Sequence, residues 1–290
     1  MKSINTYYYD RDTLINFIKD NQLIDNASLL IQIFTAFNNK KYIYELLNEI
    51  KSILPKAMII GATTDGEIMD GIVSTQQTVL SFTQFEYTDL KIKMVKHKKD
   101  GYFSGQAIAN SLIKDNTKLL IAFVDGLHTN GEAFLQGINS INNTIKVAGG
   151  LASDSAMFTQ TYVFTNDEII TDGAVAVALN SDRLYIHNDY SFNWQSIGKE
   201  LIITEVKDNR VYRIGNRTAT DTYAHYLGDE IAKMLPEIGI EFPLIVYRNG
   251  IAIARAVLGK EDDGSLIFAG NLKVGDKVYF GCGNAEKNIK

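Results

Sequence analysis

The stretch Ala57-Met58-Ile59-Ile60-Gly61-Ala62-Thr63-Thr64-Asp65-Gly66-Glu67 decides the fold, because a second segment, Ile145-Lys146-Val147-Ala148-Gly149-Gly150-Leu151-Ala152-Ser153-Asp154, repeats its pattern. In both, a short apolar run that predicts a buried strand leads into glycine, hydroxyl groups and a carboxylate. Glycine lets a backbone approach a bound molecule closely, and the polar groups offer that molecule hydrogen bonds. We therefore predict that the two segments form the floor of a small-molecule pocket; two tight strand-to-helix turns are the alternative.

Composition limits the function classes. The chain has 290 residues, 46% hydrophobic and 22% charged, which is typical of one large domain or two intimate ones. A net charge of -5 argues against nucleic acid as a partner, because phosphate-binding surfaces need a basic excess. One basic cluster stands out, and we predict that it protects an edge strand from pairing. Its members are Lys91, Lys93, Lys96, Lys98 and Lys99.

The predicted location is the cytoplasm. Cys282 is the single cysteine, so an intrachain disulfide is impossible and a reducing compartment is favoured. Residues Met1 to Asp12 lack the apolar core of a secretory leader, and the longest apolar runs are too short to insert into a membrane. Residues Asn284 to Lys290 resemble a helix start without an apolar face. They are consistent with a chain truncated at its C-terminus or with a short natural tail.

Periodicity predicts a mixed α/β (α+β) fold of two intimately packed subdomains, residues 1–190 and 191–290, with β-rich sheets flanked by helices. The first part mixes helices with strands, and the second is dominated by antiparallel strands. The predicted elements that matter below are the strands Leu29–Phe34, Val73–Tyr87, Leu90–His97, Lys118–Val124 and Leu184–Tyr190, and the helices Lys40–Ile53, Ser104–Ile113 and Gly131–Ile141. We expect Val73–Tyr87 and Leu90–His97 to be joined by a turn.

Catalytic signatures are missing from the sequence, which contains no Gly-x-Ser-x-Gly, Walker or His-Glu-x-x-His motif. Three residues outside the two segments remain candidates. Asp125 follows a predicted strand, where α/β proteins place binding groups. Trp194 packs a subdomain joint or stacks on a ligand. Arg255 lies in an apolar strand and needs either a carboxylate, such as Asp154 or Glu67, or an anionic ligand group.

The candidate ligand-binding residues come from the two glycine segments and from the three further positions. They are Gly61, Thr63, Thr64, Glu67, Asp125, Gly149, Gly150, Ala152, Asp154, Trp194 and Arg255. We expect Thr63, Thr64 and Asp154 to face the same cavity. No catalytic residue and no metal ligand is predicted.

At these residues the chain resembles the FIST family of intracellular sensory domains. The resemblance rests on both glycine segments, on Asp125-Gly126-Leu127-His128 with Asn130-Gly131-Glu132, and on a C-terminal series. That series is Trp194 with Ile197-Gly198-Lys199, Tyr223 with Tyr226-Leu227-Gly228, Phe242-Pro243-Leu244, Arg255, Gly264-Ser265-Leu266 and Gly275. Each motif is weak alone, but their order over some 200 residues makes the match specific.

The resemblance implies a sensor with FIST-N and FIST-C parts that binds a small ligand such as an amino acid or a related metabolite. In bacteria, output comes from a chemoreceptor, a histidine kinase or a cyclic-di-GMP module, fused or encoded nearby; a homodimer is a further expectation. Some members are haem proteins that sense nitric oxide and regulate a partner kinase. Under that alternative, His128 or His225 is the axial ligand of a non-covalent haem b. An acid–base enzyme and a pure interaction module are the remaining alternatives.

Overall fold

The computed structural model describes residues 1–96, 100–155, 157, 159–189, 192–248 and 250–283. Its residue contacts divide the chain into two compact units, Met1–His187 and Asn188–Lys290. The mixed α/β fold predicted from the sequence is confirmed. The predicted helix start at Asn284 to Lys290, and Lys98 and Lys99 of the basic cluster, lie outside the described residues.

Two sheets dominate the N-terminal unit. A six-stranded sheet has the order β1-β6-β2-β3-β10-β11, and a four-stranded sheet has the order β7-β12-β8-β9. The elements are β1 (Lys2–Tyr7), α1 (Arg11–Asp20), β2 (Leu29–Thr35), α2 (Lys40–Ile53), β3 (Met58–Thr63), β4 (Glu67–Met69), β5 (Ile72–Ser74), β6 (Thr78–Gln84), β7 (Asp89–Lys96), α3 (Gly101–Leu112), β8 (Thr117–Val124), α4 (Gly131–Ile141), β9 (Lys146–Leu151), β10 (Val163–Thr165), β11 (Ile169–Ile170) and β12 (Gly173–Asn180).

Alternation along the strands places each sheet between a helical layer and the other sheet. On β2, Ile31 and Ile33 belong to a core cluster with Leu46 of α2, while Leu30 belongs to the cluster that contains Phe123 of β8. Because successive side chains of a strand point to opposite faces, β2 contacts helices on one side and the four-stranded sheet on the other. Both faces are therefore mostly apolar, as expected of a buried strand, with Gln32 as a polar residue on the face toward the four-stranded sheet.

The four-stranded sheet is covered in the same way. Leu120 and Ala122 of β8 pack with Ile108 of α3 and Phe134 of α4, whereas their neighbour Phe123 packs toward the six-stranded sheet. The N-terminal unit is therefore a four-layer α/β/β/α arrangement. The Asn130 side chain caps α4 by accepting the Ala133 N–H at 3.0 Å, as its type predicts.

Two of the predicted strands differ from the structure. The predicted strand Val73–Tyr87 is divided into β5, which pairs with β4, and β6. A short connection joins β6 to β7, as expected, but the two strands lie in different sheets. Phe85 and Leu90 are both buried in the cluster between the sheets, so the chain crosses from one sheet to the other there. Residues 184–189 form no strand, although their alternation predicts one.

The edge-strand prediction for the lysine cluster is confirmed where the structure describes it. Strand β7 lies at one edge of the four-stranded sheet, and Lys91, Lys93 and Lys96 are exposed along it. Charged side chains on an edge strand discourage pairing with another chain.

The C-terminal unit is built around an antiparallel sheet with the order β17-β16-β20-β13-β14-β19-β18, and β15 pairs with β14. Its elements are β13 (Trp194–Lys207), β14 (Arg210–Ile214), β15 (Arg217–Thr218), α5 (Ala219–Leu227), α6 (Asp229–Lys233), β16 (Leu244–Arg248), β17 (Ile251–Arg255), β18 (Val257–Lys260), β19 (Leu266–Phe268) and β20 (Lys277–Gly283). Tyr223 of α5 is fully buried, contacts Phe280 edge-to-face and donates its hydroxyl to Phe242 O. This side chain ties α5 to the sheet.

Candidate functional site

The two glycine segments meet at a cleft of about 400 Å³ between the sheets of the N-terminal unit. Each sheet contributes two neighbouring strands, β2 and β3 from one and β8 and β9 from the other. The lining residues are Gln32, Phe34, Ala62, Thr63, Thr64, Ile121, Phe123, Ala148, Gly149, Gly150 and Leu151. Thr63, Thr64, Gly149 and Gly150 are the candidate ligand-binding residues that the structure brings together here.

The cleft exists because β9 carries small residues on its inner face. Ala148 lies opposite Ile121, and Gly150 lies opposite Phe123, in the parallel pairing of β9 with β8. Side chains at paired positions point to the same face of a sheet, so Ala148 and Gly150 face the six-stranded sheet as Phe123 does. A Cβ placed on Gly150 would meet nothing within 4 Å. The missing side chain therefore leaves open space beside Phe123.

The neighbouring glycine has a different cause. Gly149 has φ +134°, and a Cβ placed on it would lie 1.8 Å from Ala122 O. Gly61 is also required by packing, because a Cβ there would lie 2.1 Å from the Phe164 ring. These glycines allow close approach between protein segments. They also lie inside strands β3 and β9, so the alternative of strand-to-helix turns is wrong for both segments.

The cleft lining carries no charged side chain. Two of its polar side chains, those of Gln32 and Thr64, can still form hydrogen bonds with a ligand. Gln32 is half-buried, and its side-chain amide has no hydrogen-bond partner among the described residues. The Thr64 hydroxyl donates to Glu67 Oε1 at 2.5 Å, so only its acceptor capacity remains. None of the lining residues is acidic or basic.

Glu67 lies behind the cleft and does not line it. Its side chain is 2% exposed, and it accepts the Thr64 hydroxyl and, at 3.3 Å, the Gln77 N–H. Because Glu67 is the first residue of β4, these bonds fix the base of the β4–β5 hairpin. Beyond this base, Ile68 and Val73 are exposed. The Thr64–Glu67 bond therefore connects the cleft directly to an apolar hairpin.

Asp125 is a buried structural centre. Its carboxylate accepts hydrogen bonds from the Leu127 N–H (3.2 Å), the His128 N–H (2.8 Å) and the Thr161 hydroxyl. His128 Nδ1 lies 3.0 Å from Asp125 Oδ2, while the imidazole is 59% exposed. Asp125 thus holds the turn after β8 against the segment that leads into β10.

Asp154 has a similar role in the loop after β9. Its carboxylate accepts the N–H groups of Thr159 (2.7 Å) and Gln160 (3.0 Å) and the Thr159 hydroxyl. It does not line the cleft, so the expectation that Asp154 shares a cavity with Thr63 and Thr64 is not met there. Ala152, another candidate, donates its N–H to Val124 O at 2.7 Å and packs beneath Gly126.

Two candidates belong to the C-terminal unit. Trp194 begins β13 and contacts the Phe192 ring at 6.1 Å and the Gly281 backbone position. Arg255 ends β17, donates from Nε to Asn271 O at 3.4 Å and packs over Gly270. Both side chains make contacts within their own unit. Their predicted role in ligand binding stays a prediction.

The cleft does not suit the haem alternative. Neither His128 nor His225 lines it, and both imidazoles are exposed or half-exposed. The lining residues therefore do not fit a histidine-ligated haem, and the haem prediction stays a prediction. In the described part of the chain, no group of three or more His, Cys, Asp or Glu side chains is arranged to hold a metal ion. No described helix is long and apolar enough to cross a membrane.

Sequence reasoning misses the far wall of the cleft. Gln32, Phe34, Ile121 and Phe123 lie within predicted strands, where periodicity indicates core positions. One signal for Gln32 is present, because it is the single polar residue in the apolar run Leu29 to Phe34. A polar side chain in the middle of a strand that is buried on both faces needs a partner, and a ligand is one.

Comparison with known protein families gives two matches, whose boundary falls between β15 and α5, inside the C-terminal unit. The model of the FIST N domain matches residues 29–217, and the model of the FIST C domain matches residues 219–290. A comparison with curated proteins gave no match. FIST domains are sensory domains of signalling proteins. The two matches account for most of the chain, which therefore belongs to the FIST family.

Proposed function

We propose that this protein is a cytoplasmic signal-input domain whose small-molecule ligand binds in the cleft between the two sheets of the N-terminal unit. The carrying observation is the convergence of both glycine segments on one cleft, with open space at Gly150. Its volume of about 400 Å³ is in the range of small-molecule sites, which are concave and mostly apolar with few polar groups. Family membership supports a sensory role.

Signal output requires that the ligand distinguishes two states of the protein. The Thr64–Glu67 hydrogen bond supplies a physical route, because it joins a lining residue to the β4–β5 hairpin. A ligand that accepts a hydrogen bond from the Thr64 hydroxyl competes with Glu67 for that donor. It thereby weakens the contact that fixes the base of the β4–β5 hairpin. The proposed recipient is a chemoreceptor, a histidine kinase or a cyclic-di-GMP module.

The proposal includes no catalytic step. The three candidate carboxylates are each engaged in local structure. The Glu67 carboxylate accepts hydrogen bonds from Thr64 and Gln77, and that of Asp125 accepts three hydrogen bonds. The Asp154 carboxylate accepts hydrogen bonds from the loop at Thr159. Groups held in this way fix the backbone and do not line the cleft, which supports binding without turnover.

Thermal-shift screening of a metabolite set tests this function with the wild-type protein and Gly150→Val. A ligand at ten times its dissociation constant stabilises a protein by about 1.4 kcal/mol. We expect at least one metabolite to raise the melting temperature of the wild type and to lose that effect in Gly150→Val, because the added side chain occupies the open space.

Lys146→Val is the matched control, since it places the same residue on β9 outside the cleft lining. Its ligand response should equal that of the wild type. An equal response in Gly150→Val would place the ligand elsewhere, and no response to any metabolite would argue against a small-molecule sensor.

A further inference from the structure

The proposed function does not specify the chemical class of the ligand, but the residues that line the cleft limit that class. Resting on that function, we propose that the ligand is a neutral, planar molecule with an amide or lactam edge, packed against the contacting pair Phe34 and Phe123 and bound through hydrogen bonds to Gln32. This differs from the amino acid that the family resemblance implies. Charge, shape and hydrogen-bonding capacity support it separately.

The charge argument favours neutral ligands over ionised ones. No lining residue is charged, and Glu67, whose carboxylate accepts the Thr64 hydroxyl, lies behind that lining residue. Moving an ion out of water without an opposite charge costs several kcal/mol. A carboxylate ligand would also approach the Glu67 carboxyl group, and neither charged end of a free amino acid would meet an opposite charge among the lining residues. A neutral molecule avoids these costs.

The shape argument favours a flat ring. Phe34 and Phe123 reach from the two sheets into direct edge-to-face contact, with ring centroids 5.4 Å apart and an interplanar angle of 76°, so together they form one aromatic wall of the cleft. Packed sheets lie about 10 Å apart, so the space left where the edge strand β9 has only Ala148 and Gly150 is a flat cleft that opens to solvent at these two exposed residues. Aromatic groups gain from edge-to-face and offset contacts with such rings.

The hydrogen-bonding argument indicates which polar groups the planar ligand carries at its edge. The Gln32 amide presents a carbonyl acceptor and two N–H donors, and it has no partner among the described residues. An amide or lactam presents adjacent N–H and C=O groups, so it pairs with Gln32 through two hydrogen bonds. The Thr64 oxygen, whose hydrogen goes to Glu67, accepts a further N–H. Gln32 is therefore a specificity-determining residue.

Three bicyclic probes of nearly equal size separate these arguments. They are 2-quinolone, a neutral lactam; quinoline, a neutral ring without the lactam edge; and quinoline-2-carboxylate, an anion. Ligand-observed NMR titration of the full chain measures their dissociation constants. We expect 2-quinolone to bind most tightly, quinoline more weakly and the carboxylate not at all.

Gln32→Leu tests the role of the amide at nearly constant side-chain volume. It should weaken 2-quinolone about fivefold, equivalent to about 1 kcal/mol for lost hydrogen bonds, and leave quinoline unchanged. Gly150→Val should remove binding of both neutral probes, and Lys146→Val should remove neither. Equal weakening of 2-quinolone and quinoline by Gln32→Leu would assign Gln32 a packing role and overturn the proposal.

The failures of the two proposals differ. Binding of quinoline-2-carboxylate that is lost in Gly150→Val would overturn the neutral ligand class and keep the cleft as the binding site. Failure of all three probes, together with a metabolite response that depends on Gly150, would also overturn the ligand class and keep the cleft. Probe binding that is insensitive to Gly150→Val would overturn the cleft itself, and with it the proposed function.

Discussion

Gly149→Ala is expected to lower the free energy of unfolding of the N-terminal unit by about 3 kcal/mol or more. At φ +134° the backbone of Gly149 has a conformation that a residue with a Cβ rarely adopts, which costs about 1–3 kcal/mol. The Cβ would also lie 1.8 Å from Ala122 O, and relieving such an overlap adds about 1–3 kcal/mol. Urea denaturation followed by circular dichroism measures the loss.

Gly150→Ala is the control for that variant, because it adds the same methyl group one residue along β9. Nothing lies within 4 Å of the new Cβ, so we expect a change within about 0.5 kcal/mol of the wild type. If Gly149→Ala and Gly150→Ala gave equal free energies of unfolding, the assignment of Gly149 to packing and Gly150 to the cleft would be refuted.

Asp125→Ala is the second large expected effect, with a loss of about 3 kcal/mol in the free energy of unfolding. The variant leaves the Thr161 hydroxyl and the N–H groups of Leu127 and His128 without their acceptor in a buried place. Hydrogen bonds to a charged group are worth about 1.5–3 kcal/mol each in mutational series, and part of the loss is recovered by relaxation. Urea denaturation again provides the measurement.

Asp115→Ala removes an exposed carboxylate from the turn just before β8 and should stay within about 0.5 kcal/mol of the wild type. His128→Ala should cost less than Asp125→Ala, because the imidazole is 59% exposed. An Asp125→Ala protein as stable as Asp115→Ala would show that Asp125 is not a structural centre, and would return it to the candidate binding residues.

The sequence predicts the helices and strands far better than it predicts which strands pair in a sheet. Lys40–Ile53 is a helix with its predicted bounds, because its apolar residues recur with helical spacing. Strands β6 and β7 follow each other closely in sequence, as predicted, but enter different sheets. Periodicity reports which faces of a strand are buried and carries no information on which sheet it joins.

The candidate site shows the same division. Adjacent glycines in one segment have opposite roles, since Gly149 is required by contact with Ala122 and Gly150 leaves space. Both residues are glycine, so the sequence alone does not distinguish these two roles. Asp154 lies in the same segment as Gly150, yet its carboxylate accepts hydrogen bonds from the N–H groups of Thr159 and Gln160. Only the placement of side chains separates a binding group from a structural one.

Mass spectrometry of the small molecules retained by the natively expressed protein tests the central claim most directly. The wild type, Gly150→Val and Lys146→Val are purified in parallel and compared. We predict that one small molecule accompanies the wild type and Lys146→Val in equal amounts and is lost from a folded Gly150→Val. Retention of the same molecule by Gly150→Val at the wild-type level would contradict a ligand site in the cleft between the two sheets.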